Sequence, residues 1–233
     1  MKCIYSECNG TGFVPVTLEN GEQEFKPCRC RLDKSNKDNL RKKLIEANIP
    51  LKYWDYTFEN YLELPFPPGV KQFNKPNVDY LNQLLQNPKD FVQGKQVLWL
   101  WGQDDNSCHT TLATLLGAEL LKADYKVLFT SFSKLLERFV DFDNKDKHAK
   151  ELDHRDVYII DDAFDITRAS PGSFRHSQLF SFLDEALSNS KHFICTSNVP
   201  VLSIDGRFSQ SKIILSRSLK TLELRGTIGD YLT

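Results

Sequence analysis

No stretch of this 233-residue chain reaches roughly eighteen consecutive apolar residues, the length needed to span a bilayer core. That argues against a membrane-spanning helix. The N-terminus, MKCIYSECNG, has no apolar h-region, so a secretory signal is not expected there and a cytoplasmic location is. Net charge is nearly absent as well. Thirty Lys and Arg oppose 31 Asp and Glu, so bulk charge does not draw the whole chain to a polyanion. No internal repeat is found. A hydrophobic content of 40% and a charged content of 26% belong to an ordinary soluble globular protein, and the length suffices for one good core and a small appendage.

The charge that is present is unevenly placed. Between Lys26 and Tyr53 stand nine basic residues (Lys26, Arg29, Arg31, Lys34, Lys37, Arg41, Lys42, Lys43 and Lys52) against Asp33, Asp38 and Glu46, a local balance of +6. Such a segment is either a contact for phosphates or an acidic partner, or a solvated charged helix. The cysteines are uneven too. Four of the six, Cys3, Cys8, Cys28 and Cys30, fall in the first thirty residues. Two close pairs of thiols in a cytosolic chain point to a structural metal, and zinc prefers four thiolates in a tetrahedron. CNGTG supplies glycines for a knuckle turn after Cys8, and VPVTLENGEQEF reads as a hairpin about Asn20-Gly21 that returns Cys28 and Cys30 to the first pair. So small a module buries little core, so a bound metal would supply its stability.

Residues 31–48 read as a polar connector turning helical, with Leu40, Leu44 and Ile45 on one side. LPFPPGVKQFNKP reads as a proline-rich loop, and NVDYLNQLLQNP as a helix with Val78, Leu81, Leu84 and Leu85 inward. From residue 96 strands and helices alternate: QVLWLWG, TTLATLLGAELLKA, YKVLFTS, FSKLLERFVDF, DVYIIDD, SQLFSFLDEALSN, KHFICTSN and LKTLELRG. That alternation predicts an α/β fold with a parallel sheet covered on both faces, and such sheets bind ligands at the carboxyl ends of their strands.

Three strand ends carry chemistry. After the first comes GQDDNSCHTT, in the place of a phosphate-binding loop, whose usual pattern is G-x-x-x-x-G-K-[ST]. Two registers fit. One sets Cys108-His109-Thr110-Thr111 on G-K-T-T and leaves the gap from Gly102 one residue long. The other keeps that gap and sets Ser107-Cys108-His109 on G-K-T. The lysine is absent in both, and Asp104 and Asp105 add negative charge where phosphates would lie. After the third strand, Asp161 and Asp162 make a Walker B pattern, the first to hold a Mg²⁺ shell and the second to orient attacking water; plain helix capping is the alternative. After the fourth comes the polar run Thr196-Ser197-Asn198, a nucleotide contact or a turn.

Taken in order, these segments resemble the bacterial and phage DnaC/DnaI-type replicative helicase loaders, AAA+ P-loop proteins, over nearly the whole chain. CNGTG and CRCR are similar to the zinc-binding front of many phage members, ANIPLKYWDYTFENY (47–61) to the entry of their AAA+ domain, and KIILSRSLKTLELRG to their tail. The resemblance implies residues 1–32 as a zinc-binding module that grips the helicase, 33–48 as a basic helical connector, and 49–233 as an AAA+ domain. That domain would self-assemble and contact single-stranded DNA. It also implies Asn198 as sensor 1, and Arg217 and Arg207 (or Lys212) as sensor-2 and arginine-finger candidates. The aromatic residues Tyr53, Trp54, Tyr56, Phe58 and Tyr61 would pack the entry segment onto the core or line an adenine pocket. The chain departs from the family at its phosphate loop, which puts ATP binding with Mg²⁺, and above all hydrolysis, in doubt. The expectation is therefore a replication factor that works mainly by binding. An active loader, with the missing charge supplied from elsewhere, is one alternative. A helicase-capturing inhibitor is another, as is an IstB-like transposition regulator, although that group usually lacks the cysteine front.

Overall fold

A computed structural model describes residues 3–93, 97–103, 107–138, 154–163, 188, 191–200 and 219–226. The chain divides into two compact units, Met1–Ile45 and Glu46–Thr233.

In the first unit, Asn9 (φ 46°) and Gly10 (φ 86°) turn the backbone through the left-handed region after Cys8, and the Thr11 N–H donates to the Cys8 carbonyl at 2.9 Å. The hairpin follows as expected. Strands β1 (Phe13–Thr17) and β2 (Gln23–Pro27) pair antiparallel with Pro15 opposite Phe25. Gly21 (φ 84°) supplies the turn, closed by the Leu18 N–H to the Glu22 carbonyl at 2.8 Å. Helix α1 (Arg29–Glu46) starts directly at the returning cysteines, so Cys30 lies in its first turn and the charged 31–46 stretch is one continuous helix. Its basic side chains Arg31, Lys34, Lys37, Arg41 and Lys42 are exposed. Of the expected apolar stripe, Leu44 is buried but Ile45 is 62% exposed. Leu40 and Leu44 stack at i,i+4, while one further residue rotates Ile45 by about 100° around the helix.

The second unit holds a five-stranded, all-parallel sheet in the order β4-β5-β6-β3-β7. Its strands are β3 (Val97–Trp101), β4 (Val127–Ser131), β5 (Val157–Asp161), β6 (His192–Ser197) and β7 (Leu219–Glu223). The apolar runs VLW, VYI and FIC are buried, as befits parallel strands covered on both faces. Helix α5 (His109–Lys122) links β3 to β4, and Leu112, Leu115, Leu116 and Leu120 face inward at 0–2% exposure. Gly117 of this helix allows a close approach to the sheet, because a Cβ there would meet Ile159 Cδ1 at 2.5 Å. Helix α6 (Phe132–Arg138) follows β4. The helix expected over 177–189 lies, apart from Ser188, outside the described residues.

The entry segment packs along this sheet. The Ala47 carbonyl accepts from the Phe129 N–H at 2.7 Å, on the outer side of edge strand β4. A 3-10 turn, Leu51–Tyr53, packs against α5. Thr57 then caps helix α2 (Phe58–Glu63) with a reciprocal box to Asn60. The proline-rich stretch is not all loop: helix α3 runs Pro68–Leu85. Pro68 occupies the first turn, where its missing N–H costs nothing, whereas Pro76 removes one interior bond. Packing and side-chain bonds override that cost. Val78 and Leu81 are buried, Asn74 exchanges two hydrogen bonds with the Arg225 backbone (2.9 and 3.0 Å), and the Asn77 amide donates to the Glu223 carbonyl at 2.6 Å. A short helix α4 (Pro88–Gln93) precedes β3.

Candidate functional site

The first unit gathers Cys3, Cys8, Cys28 and Cys30, whose sulfurs all lie within 4.8 Å of one another. Cys3 and Cys28 are 3.7 Å apart and Cys8 and Cys30 3.5 Å. Four sulfurs at a Zn–S distance of 2.3 Å in a tetrahedron would stand about 3.8 Å apart, so the set fits one tetrahedral metal. A disulfide needs sulfurs at about 2.05 Å, which no pair approaches. The surroundings suit thiolates. The Gly12 N–H donates to Cys8 Sγ at 3.3 Å, and the Cys8 backbone amide holds the Cys3 thiol down to about 6. Loss of solvation pushes Cys28 and Cys30 up, the direction a bound cation would reverse.

In the second unit the strand ends align. Ser131 pairs with Asp161 and Trp101 with Ser197, and the Gly102 N–H extends the ladder to the Ser197 carbonyl at 3.1 Å. Strand β6 lies between the loop-bearing β3 and the Asp-bearing β5. Gly102 is required by close approach: a Cβ there would fall on the Leu224 carbonyl and the Ser107 side chain. Cys108 takes a left-handed conformation (φ 55°) before α5, and Tyr61 reaches the Ser107 carbonyl with its hydroxyl at 3.5 Å. Thr110 Oγ1 donates to Asp161 Oδ1 at 2.7 Å. Thr196, fully buried, donates to the same oxygen at 2.6 Å and accepts from the Asp162 N–H at 3.2 Å. Asp162 is exposed, with φ 53°.

His109 does not reach outward as a lysine would. It is 7% exposed, and its Nδ1 lies 2.5 Å from Ser107 Oγ. Burial depresses its pKa, only partly opposed by Asp161, so the ring is neutral at pH 7. Burial also raises Cys108 and holds it as a thiol. The site thus brings together Gly102, Ser107, Cys108, His109, Thr110 and Asp161. Thr111, one residue on in α5, is 7% exposed, and Asn198 stands exposed just past β6. Asp104, Asp105, Arg207, Lys212 and Arg217 lie outside the described residues. Thr196 is the residue sequence reasoning passed over. The run Thr196-Ser197-Asn198 reads as a nucleotide contact or a turn with Asn198 as its singled-out member, although the two-residue strand period sets Thr196 on the same side as Asn198. Among the aromatics, Phe58 and Tyr61 are core residues, and Tyr53 and Tyr56 are half-buried.

A five-stranded parallel sheet with flanking helices and a loop-to-helix turn at the end of β3 matches the AAA+ P-loop fold. Solved structures bear this out. The chain is similar to a DnaC helicase loader (TM-score 0.59, 16% identity, 75% of this chain and 99% of that one). It is similar to DnaI (TM-score 0.57, 12% identity, 76% and 94%). It is also similar to a replication initiator DnaA bound to AMPPCP and single-stranded DNA (TM-score 0.56, 18% identity, 76% and 51%). The chain thus spans nearly all of the DnaC and DnaI chains and about half of the DnaA chain. No protein-family model and no curated protein matches it.

Proposed function

We propose that this protein is a DNA replication factor of the helicase-loader type, acting chiefly by binding. The observation that carries the reading is the span of the match: the loader chain is covered over 99% of its length, the initiator over 51%. The first unit, residues 1–45, would be held by one structural zinc on its four cysteines and would bind the replicative DNA helicase, with the exposed basic face of α1 available to the partner. The AAA+ unit would assist delivery to single-stranded DNA and associate with further copies.

The geometry supports the register in which Cys108, His109 and Thr110 take the Gly, Lys and Ser/Thr places of a phosphate loop, because Thr110 is the hydroxyl beside Asp161. Asp161, with Thr110, would then hold Mg²⁺. Asp162 and Asn198 would occupy the water-orienting and sensor-1 places, with Arg217 and Arg207 as sensor-2 and finger candidates. A neutral, inward-turned His109 cannot neutralise a triphosphate, so nucleotide binding is weakened and hydrolysis lost.

A pull-down with the replicative helicase tests the reading, using the full chain and a version lacking residues 1–45. Helicase retained by the full chain and released by the truncation supports it. Absence of binding by the full chain refutes the loader assignment, and binding by both removes the first unit as the grip.

A further inference from the structure

Of the eight large hydrophobic side chains that stand exposed among the described residues, seven belong to residues 1–45 and one, Leu51, to the second unit. Part of this surplus is ordered. In the β1–β2 hairpin Phe13 pairs with Pro27 and Pro15 with Phe25, so the four side chains share one face. All four are exposed, Phe25 at 65%. The face runs directly into helix α1, because the Arg31 guanidinium lies over the Phe13 ring, 4.2 Å from its centroid. From Arg31 the helix carries Lys34, Lys37 and Arg41 at steps of three or four residues, with Lys42 beside Arg41, so the cations make one stripe. It is about 17 Å long at 1.5 Å per residue. Asp38 is the one acid within it, and none of Lys34, Lys37, Arg41 and Lys42 is ion-paired among the described residues.

We propose that this hairpin face and the basic stripe together form the docking surface of the first unit. Its occupant is a protein surface with an apolar hollow bordered by acidic side chains. The inference rests on the reading of the first unit as the helicase grip and names the part that makes contact. The stripe calls for negative charge, and the apolar residues decide between its two sources. Bases stack on open aromatic rings. Here Phe13 has one ring face taken by Arg31, Tyr5 is tied through its hydroxyl to Asp33, and the other exposed apolar residues besides Phe25 are aliphatic: Ile4, Leu18, Leu32 and Ile45. Such a set suits protein side chains better than bases. The mode is face docking and not strand addition. The Cys28 N–H bonds the Gly12 carbonyl and the Leu18 N–H the Glu22 carbonyl, so the odd-numbered residues of β1 and β2 turn their backbone groups outward. Of these, Pro15 and Pro27 have no N–H, and the Phe13 N–H is taken by Thr11 Oγ1 at 3.3 Å.

The test is equilibrium binding of the replicative helicase to the full chain, comparing wild type with Phe25→Ser, the double variant Lys34→Glu/Lys37→Glu, and two surface controls in the second unit. The controls are Leu51→Ser, an exposed apolar residue, and Lys75→Glu, a cation paired with Asp79. Phe25→Ser should weaken binding by about tenfold or more, as loss of a central apolar anchor does. The double variant should weaken it by a similar factor, with slower association and a flatter salt dependence. Both controls should stay within about twofold. Wild-type affinity in Phe25→Ser or in the double variant, with melting temperature kept, overturns the surface and leaves the helicase reading standing. No helicase binding by wild type overturns that reading and the inference together. A labelled oligo-dT is titrated in parallel. Binding of it that the double variant loses, while helicase affinity is unchanged, makes nucleic acid the occupant and overturns the proposal.

Discussion

Thr110 Oγ1 donates to Asp161 Oδ1 at 2.7 Å and so joins the first turn of α5 to the end of β5, across 51 residues of sequence. The acceptor is a carboxylate oxygen and the pair part-buried, so the bond is of the stronger kind, about 1.5–3 kcal/mol. Thr110→Val removes it while keeping the side-chain shape. Asp161 still accepts from Thr196, so the expected loss is toward the low end. In a chain of this size that is a drop in Tm of a few degrees, about 2–4 °C per kcal/mol. A double-mutant cycle with Asp161→Asn should return a coupling energy above about 0.5 kcal/mol. Additive effects would mean that water replaces the bond at no cost.

The cysteine cluster makes a separate prediction. Purified protein should carry one zinc per chain by elemental analysis, lost in Cys28→Ser. Chelation should open the first unit, measured as faster proteolysis within residues 1–45, while the parallel-sheet unit keeps its melting transition. The reason is size: the hairpin is largely exposed, with Phe25 at 65%, and Cys8 and Cys28 are its buried apolar groups, so metal takes the place of a core. Proteolysis unaffected by chelator would show that the hairpin stands without metal.

The sequence and the structure agree where one face or one repeat decides the outcome. The cores of β3, β5 and β6 were legible because burial on both faces demands unbroken apolar runs, and α5 because four leucines recur at helical spacing. The cysteine hairpin was legible from Asn20-Gly21 and the glycines after Cys8. Long-range bonds were not. Nothing within GQDDNSCHTT distinguishes Cys108 from His109 at the lysine place. The choice depends on which hydroxyl meets Asp161, and that comes from another strand. The start of α3 was hidden for a similar reason. Its prolines argue locally for a loop, and the bonds of Asn74 and Asn77 to the end of β7, about 150 residues away, argue for a helix.

Gly102 should be intolerant of any side chain. Its Cβ position is filled by backbone, the Leu224 carbonyl, as well as by Ser107, and backbone yields less readily than a side-chain tip. Gly102→Ala must push β7 or the loop aside and is expected to cost about 1–3 kcal/mol by overpacking. Gly117→Ala meets side-chain tips alone, Ile159 Cδ1 first and Ile49 Cδ1 next, which can rotate, so it should cost less. Urea unfolding of the two variants checks the order. A Gly102→Ala variant as stable as wild type would mean that the β3–β7 pairing adjusts freely.

His192 begins β6 with its ring 4.2 Å from that of Phe91, and among the described residues neither ring nitrogen has a hydrogen-bond partner. It is fully buried, and desolvation lowers its pKa from 6.5 to about 4. The unfolded chain therefore binds a proton near pH 6.5 that the folded chain refuses until about pH 4. Stability from this residue is complete above pH 6.5 and falls as pH drops toward 4, by about 3 kcal/mol in all at 1.36 kcal/mol per unit. Other groups titrate in the same range, so the measurement is a difference. Urea midpoints of wild type and His192→Leu are compared at pH 7.5 and pH 5. Leucine cannot take up the proton, so the variant should lose less stability between the two pH values, by roughly 2 kcal/mol. Parallel pH profiles would mean that the imidazole is charged, or paired, in the folded protein.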